Sequence, residues 1–104
     1  MMGGITMTIN ESKNGSALTI ELEGRLDTVS SPELDAKLGT ALDGITDLTF
    51  DLGGLEYMSS AGLRTLLSAQ KRMNRQGSMK VKNANSTIME IFEVTGFTDI
   101  LTIE

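Results

Sequence analysis

The chain has 104 residues, a net charge of −5 and 39% hydrophobic residues, and it contains neither Cys nor His. This length and composition predict a single soluble domain without disulfides, thiolate metal sites, or cysteine or histidine catalysis. No basic run exceeds Lys71-Arg72 and no apolar run approaches the roughly 20 residues of a membrane span, so we expect a cytoplasmic protein with no direct nucleic-acid contact and no membrane segment.

The first elements are predicted to be two strands joined by a hairpin. We expect residues 1–4 to form a flexible leader and residues 5–104 to form the domain. Met7–Asn10 alternates apolar and polar residues, which is the period of a β-strand, and Asn14-Gly15 is a strong signal for a tight turn. The alternation resumes in Leu18–Glu23 and predicts a second, half-buried antiparallel strand.

A helix and a third strand follow. Gly24–Asp27 is either a bend or a continuation of the second strand. Ser31 is the predicted N-cap of the first helix, because Pro and Glu come directly after it, and Gly44 is expected to end that helix. Leu48–Leu52 alternates again and predicts a strand, after which Gly53-Gly54 is expected to loosen the backbone.

The second helix is predicted to begin at Ser59 or Ser60 and to end at Gly77. Leucines and a methionine at helical spacing give it a buried stripe, and Lys and Arg in its last turns complement the helix dipole. Met79–Lys82 then alternates apolar and basic residues and predicts the fourth strand.

The C-terminal part predicts a third helix and a short final element. The helix is expected to begin at Ser86 or Thr87 and to end at Gly96, whereas Ile100–Ile103 fits a strand or a helix equally well. Strands alternating with helices predict an α/β domain. We expect a mixed sheet of about four to five strands, with about three to four helices packed mainly on one face.

Ser59 and Ser60 lie at the predicted junction between a strand and a helix and are the main candidate functional residues. The first backbone N–H groups of a helix lack intrahelical partners, and the helix dipole favours negative charge there. Position alone leaves two interpretations: one serine only caps the helix, or it is a phosphorylation site whose phosphate those N–H groups can receive. Gly62, in the first turn, serves either close packing against the sheet or access of a partner to the serine.

Two aspartates and a polar loop form a second group of candidates. Asp27 follows the second strand, and Asp51 lies at the predicted end of the third strand. They either form turns or together line an acidic area near Ser60. Thr28 and Ser30, in the same loop as Asp27, are explained by capping or by a docking surface for a partner.

Three separated segments resemble a known family. Leu48–Leu63 resembles the signature of STAS domains, and in particular of bacterial anti-sigma factor antagonists: an apolar strand ending in Asp-Leu, a short turn, and a serine pair followed by Gly-Leu. Gly24–Asp27 and Ile91–Phe97 are similar to two further segments of that family, in the same order. The similarity spans residues 5–104 and implies a single STAS-type domain.

The resemblance implies a phosphorylation-controlled switch between partners. The unphosphorylated chain is expected to bind an anti-sigma factor that is also a serine kinase of the GHKL type, which frees a sigma factor. The kinase then phosphorylates Ser60, with Ser59 as the alternative acceptor, and a PPM-type phosphatase reverses the step. Asp27 and Asp51 match acidic positions that flank the acceptor.

The resemblance also implies a partner-binding surface. The residues expected in it are Asp27, Thr28, Ser30, Met58, Ser59, Ser60, Ala61, Gly62 and Arg64. The alternative function is a soluble subunit of a lipid or anion transport system, in which the serine region docks constitutively onto an ATPase or permease. No enzymatic activity, cofactor or metal is expected, since the sequence has no nucleotide-binding loop and no catalytic His or Cys.

Overall fold

The computed structural model describes residues 7–104 and confirms the predicted order of strands and helices. The predicted leader, residues 1–4, lies outside the described residues. The elements are β1 (Met7–Asn14), β2 (Ala17–Leu26), α1 (Ser31–Ala41), β3 (Asp47–Met58), α2 (Ser60–Gln76), β4 (Ser78–Lys82) and α3 (Ser86–Thr95), followed by a short 3-10 helix at Phe97–Asp99.

The strands form one mixed four-stranded sheet in the order β1-β2-β3-β4. β1 and β2 are antiparallel, and the turn between them contains Gly15, whose φ of +64° suits the predicted hairpin. β2, β3 and β4 are parallel, with α1 and α2 as the crossovers between them. The ends of β2 and β3 therefore lie side by side, and Leu26 pairs with Met58 immediately before the two serines.

The helices cover one face of the sheet, as predicted. In β3, every second residue from Leu48 to Leu52 is buried, and these side chains join buried residues of the other strands and of all three α-helices in one hydrophobic core. On the opposite face, Thr19 of β2, Thr49 of β3 and Lys80 of β4 are neighbours and are at least partly exposed. The sheet is thus apolar on its helix side and polar on the other.

β3 is longer than predicted, and it contains two bulges. The strand was expected to stop before Gly53-Gly54, which is wrong: it continues to Met58. One extra residue in β3 lies opposite Glu21–Glu23 and another opposite Gly24–Arg25, and each shift in register keeps the strand paired with β2. Asp51 therefore lies inside the strand rather than at its end.

The boundaries of α1 differ from the prediction at both ends. Its N-cap is Ser30 and not Ser31, and its last residue is Ala41, while Gly44 lies in the following turn with a φ of +77°. The early end has a physical reason, because carbonyl groups at this end of α1 accept hydrogen bonds from Arg72 and Gln76 of α2. Side chains of α2 thus replace the next turn of α1.

The other helix ends were predicted correctly, but the final element was not resolved by the sequence. α2 ends before Gly77, and α3 ends at Gly96 in the left-handed conformation that glycine favours. Ile100–Ile103 forms neither a full strand nor a helix. It adds one parallel bridge, from Ile103 to Val81, at the outer edge of β4.

Candidate functional site

The two serines lie where β3 passes into α2. Ser59 is the N-cap residue in an extended conformation, with φ −92° and ψ 176°, and Ser60 is the first residue of the helix. The N–H of Ser59 donates to the carbonyl oxygen of Leu26 at 2.9 Å, and the N–H of Leu63 donates to the carbonyl oxygen of Ser59 at 3.0 Å. The backbone of the junction is therefore held on one side by β2 and on the other by the first turn of α2.

The two serine side chains lie in different environments. Ser60 is exposed, whereas the hydroxyl of Ser59 is buried and has no hydrogen-bond partner within residues 7–104. The Ser59 side chain also makes no capping hydrogen bond, so the interpretation of this serine as a side-chain cap is wrong. The first N–H groups of α2 are consequently left without a capping side chain, and an incoming negative group can accept from them.

Gly62 allows α2 to start close to the sheet. It is buried, and a Cβ built on it would lie 2.7 Å from Cγ of Leu26 and 2.9 Å from Cγ of Met58. Any side chain at this position would displace two core residues at the ends of β2 and β3. Of the two roles considered for Gly62, the geometry therefore supports close packing.

Asp27 organises the loop between β2 and α1. Its Oδ1 accepts from the N–H groups of Val29 and Ser30, each at 3.0 Å. The Ser30 hydroxyl donates to the carbonyl oxygen of Arg25 at 2.7 Å and accepts from the N–H of Asp27 at 2.9 Å. The hydrogen bond from the Ser30 N–H is the main reason that the pKa of Asp27 lies below its ordinary value. Asp27 thus has the turn-forming role that the sequence allowed for it. Ser30 is the N-cap residue of α1 by position, but its side chain makes no capping hydrogen bond and closes the loop instead.

Asp51 does not lie beside the two serines. Its Oδ1 accepts from Nδ2 of Asn83 and from the N–H of Gly53, each at 3.0 Å. The bond from Asn83, followed by that from Gly53, holds the pKa of Asp51 below its ordinary value. The expected acidic area formed by Asp27 and Asp51 near Ser60 is not present, because β2 ends beside the serines whereas Asp51 lies well inside β3.

Three of the expected partner-binding residues are buried and cannot contact a partner directly. Ser30 is 3% exposed, Met58 is 1% exposed, and Gly62 is buried in the first turn of α2. These three residues support the surface residues by packing beneath them, so the prediction that they contact a partner themselves is corrected. The other expected residues are exposed or half-buried: Asp27, Thr28, Ser59, Ser60, Ala61 and Arg64.

Sequence reasoning missed three further residues at the same end of the sheet. Val29 is 77% exposed and Tyr57 is 36% exposed, although both are large apolar side chains. The Arg25 guanidinium lies 4.6 Å from the centre of the Tyr57 ring and 3.8 Å from the carboxylate of Asp27. The sequence did contain one signal for this surface, because Val29 is an apolar residue within a polar loop. We call the following residues the junction surface: Arg25, Asp27, Thr28, Val29, Tyr57, Ser60, Ala61 and Arg64.

The described part of the chain shows neither a metal centre nor a membrane span. No group of three or more Asp, Glu, His or Cys side chains within residues 7–104 could hold a metal ion. In the same range, no helix is both long enough and apolar enough to cross a membrane.

The fold and the junction surface define a small α/β domain with an exposed serine where a central strand meets a helix. The chain belongs to the STAS domain family, because the family model described as "Mlab, STAS domain" matches residues 9–102. The anti-sigma-B factor antagonist of Bacillus subtilis is 28% identical over 100 residues, which cover 95% of this chain and 92% of that protein. BtrV of Bordetella bronchiseptica is 31% identical over 99 residues, which cover 93% of this chain and 85% of that protein.

Solved structures of the anti-sigma factor antagonist SpoIIAA have the same fold. The unphosphorylated form superposes with a TM-score of 0.82 at 20% identity and covers 93% of this chain and 88% of that chain. The phosphorylated form, from Bacillus, superposes with a TM-score of 0.74 at 20% identity and covers 93% of this chain and 91% of that chain. The predicted fold class and the resemblance to STAS domains are confirmed.

Proposed function

We propose that this chain is a bacterial anti-sigma factor antagonist whose partner binding is controlled by phosphorylation of Ser60. The unphosphorylated chain binds, in the cytoplasm, an anti-sigma factor that is also a GHKL-type serine kinase, and a sigma factor is freed. Phosphorylation ends the interaction, and a PPM-type phosphatase restores it. Similarity to the antagonists of Bacillus subtilis and to SpoIIAA supports the general role.

The difference between the two serine hydroxyls carries the assignment of the acceptor. A kinase must bring the γ-phosphate of ATP in line with the attacking hydroxyl. Ser60 is exposed at the first position of α2, whereas the hydroxyl of Ser59 is buried. This difference supports Ser60 as the acceptor, because Ser59 would first have to leave its buried position.

A phosphate on Ser60 is compatible with the folded domain. It adds about −1.5 to −2 charge at pH 7. At this position the helix dipole favours negative charge, and the first N–H groups of α2 have no capping side chain within the described residues. The charge consequently affects the partner more than the fold, because a surface fitted to a neutral hydroxyl meets a hydrated dianion.

The test is phosphorylation by the cognate kinase, measured by mass spectrometry of the intact chain. With ATP, the wild type and Ser59→Ala should each gain one phosphoryl group, and Ser60→Ala should gain none. Ser59→Ala is the matched control, because it removes the neighbouring hydroxyl. Uptake by Ser60→Ala, or none by the wild type with a kinase that hydrolyses ATP, would contradict the proposal.

Binding measurements on variants of Ser60 separate this function from constitutive docking onto a transport ATPase. If phosphorylation controls binding, Ser60→Asp should bind the anti-sigma factor more weakly than the wild type while Ser60→Ala retains binding. Circular dichroism should show that both variants are folded. The alternative function, constitutive docking, would be favoured if the wild type, Ser60→Ala and Ser60→Asp all failed to bind the anti-sigma factor and bound a transport ATPase with equal affinity.

A further inference from the structure

Ser60 and Arg64 lie on the same exposed side of α2. The buried residues of this helix begin at Gly62 and end at Met73, whereas Ser60 and Arg64 are both exposed. Residues four positions apart are neighbours on a helix surface, with Cβ atoms about 5–6 Å apart. Because side chains on a helix lean towards its N-terminus, the Arg64 side chain extends back towards Ser60. Its guanidinium can therefore reach a group attached to the Ser60 hydroxyl.

Arg64 forms no ion pair within residues 7–104. The ion pairs found in that range are Arg25–Asp27, Arg72–Asp43 and Lys80–Glu104. The guanidinium of Arg64 is consequently an exposed charge whose counter-charge the folded, unphosphorylated domain does not supply.

The whole of α2 is positively charged. The helix contains no Asp or Glu and has four cationic residues: Arg64, Lys71, Arg72 and Arg75. An acidic residue in the first turn usually complements the helix dipole, and α2 lacks one. A phosphate on Ser60 would be the only negative group on this helix, and it would occupy the turn in which the dipole favours negative charge.

Acidic side chains of the neighbouring elements do not hold Arg64. Asp35 of α1 and Arg64 line the same groove between the two helices, but they form no ion pair. The carboxylate of Asp27, in the loop before α1, lies 3.8 Å from Arg25 and accepts from N–H groups of its own loop. A phosphate on Ser60 therefore has to break no existing ion pair in order to bind Arg64.

We propose that Arg64 binds the phosphate of phosphorylated Ser60 and so forms a clamp within α2 that exists only in the modified chain. This inference rests on the proposed function and names a residue of the chain itself that responds to the modification. An acidic group placed four residues before a cation is the favourable order on a helix, and a guanidinium can bind a phosphate through two parallel N–H groups. Phosphorylation then changes the junction surface at two places, because it adds a dianion at Ser60 and engages the guanidinium of Arg64.

The test uses chains in which phosphoserine is inserted at position 60 during translation, so that no kinase is needed. Phosphorus NMR follows the second ionisation of this phosphate, which ordinarily has a pKa of about 6. A nearby guanidinium favours the dianion, so the titration midpoint at low salt should lie about 0.2–0.4 pH lower in the wild type than in Arg64→Gln. Arg75→Gln is the matched control, because Arg75 is exposed in the last turn of the same helix and should leave the midpoint unchanged. Equal midpoints in the wild type and Arg64→Gln would overturn the clamp.

Thermal unfolding gives a second measurement on the same proteins. The wild type and Arg64→Gln, each with serine or phosphoserine at position 60, form a double-mutant cycle, so an effect of Arg64→Gln on the unmodified fold cancels. The change in Tm on phosphorylation should be more favourable in the wild type than in Arg64→Gln by about 1–4 °C. This difference should shrink in about 1 M salt, because the pair is exposed. An equal change in Tm in both backgrounds at low salt would contradict the clamp.

These measurements distinguish failure of the inference from failure of the proposed function. If the cognate kinase phosphorylates Ser60 but the midpoints of the wild type and Arg64→Gln are equal, the clamp alone is wrong. If the cognate kinase leaves Ser60 unmodified, the proposed function is wrong, and the clamp is then also wrong as a regulatory device.

Discussion

The N–H of Ser59 donates to the carbonyl oxygen of Leu26 at 2.9 Å, so the start of α2 is bonded to the end of β2. Only backbone atoms make this bond, and it holds Ser60 beside the loop that begins at Asp27. Substitution of either serine side chain leaves the bond in place. Serine variants therefore test the two hydroxyls and not the position of the junction.

Ser59→Ala should not destabilise the domain, although Ser59 is an N-cap residue. Replacing a capping serine by alanine usually costs about 0.5–2 kcal/mol. The Ser59 hydroxyl caps nothing and is buried without a partner in the described chain, so its removal eliminates an unsatisfied polar group. The free energy of unfolding in urea should stay equal or rise by up to about 1 kcal/mol.

Asn85→Ala is the matched control for that prediction. Asn85 is the N-cap of α3, and its side chain accepts from the N–H of Ile88 at 2.9 Å and donates to the carbonyl oxygen of Leu55 at 3.0 Å. Its replacement should lower the free energy of unfolding by about 1–3 kcal/mol. A similar loss for Ser59→Ala would contradict the buried, unpartnered state of the Ser59 hydroxyl.

Gly62→Ala should destabilise the domain even though alanine favours helices. The new Cβ would lie 2.7 Å from Cγ of Leu26, and such overpacking typically costs about 1–3 kcal/mol. This exceeds the gain in helix propensity, which is at most about 1 kcal/mol. Gly39→Ala in α1 is the control, because a Cβ there meets nothing within 4 Å and should stabilise. Urea unfolding measures the free energy of unfolding of both variants. An equal change in the two would show that a Cβ at position 62 meets free space.

Gln76→Ala should separate the end of α1 from α2. The Nε2 of Gln76 donates to the carbonyl oxygens of Leu42 and Ile45, each at 2.7 Å, and both residues are buried. Losing this donor should lower the free energy of unfolding by about 1–3 kcal/mol. Arg75→Ala, an exposed position in the same turn, should change it by less than about 0.5 kcal/mol. A loss no larger than that of Arg75→Ala would argue against this connection.

Asp27 should make stability depend on pH in the acid range. The N–H of Ser30 holds the pKa of Asp27 below its ordinary value in the folded chain. A carboxyl group of this kind stabilises the fold above its unfolded pKa, and the contribution is lost as the pH falls through the folded pKa. Stability should decrease below about pH 4, and less so in Asp27→Asn, which keeps an acceptor oxygen but does not ionise. Urea unfolding at about pH 7 and about pH 3 measures this, and equal losses in both proteins would count against it.

The order of elements could be predicted because the hydrophobic period changes at each boundary. Alternation by two gave the strands, helical spacing gave the helices, and Gly77 and Gly96 marked helix ends. The length of β3 could not be predicted, since Gly53-Gly54 has the composition of a strand end. Only pairing with β2 shows that the extra residues are accommodated as bulges.

The candidate site was predicted in position but not in orientation. Ser60 could be chosen as a candidate because a serine beside the start of a helix has a known set of roles. Which of the two hydroxyls faces solvent depends on how β3 enters the helix, and a single sequence does not contain that information. Asp51 was misplaced for the same reason, because its distance from the serines follows from the true length of β3.

The two bulges in β3 change the spacing of its buried side chains from two residues to three. Leu52, Leu55 and Met58 all face the core, whereas uninterrupted alternation from Leu52 would have pointed Gly54 and Glu56 inward instead. Each bulge absorbs its extra residue locally, so Met58 stays opposite Leu26 and the chain enters α2 in a fixed orientation. Which of the two serines is exposed is therefore determined by where the bulges lie, and not by counting residues along an ideal strand.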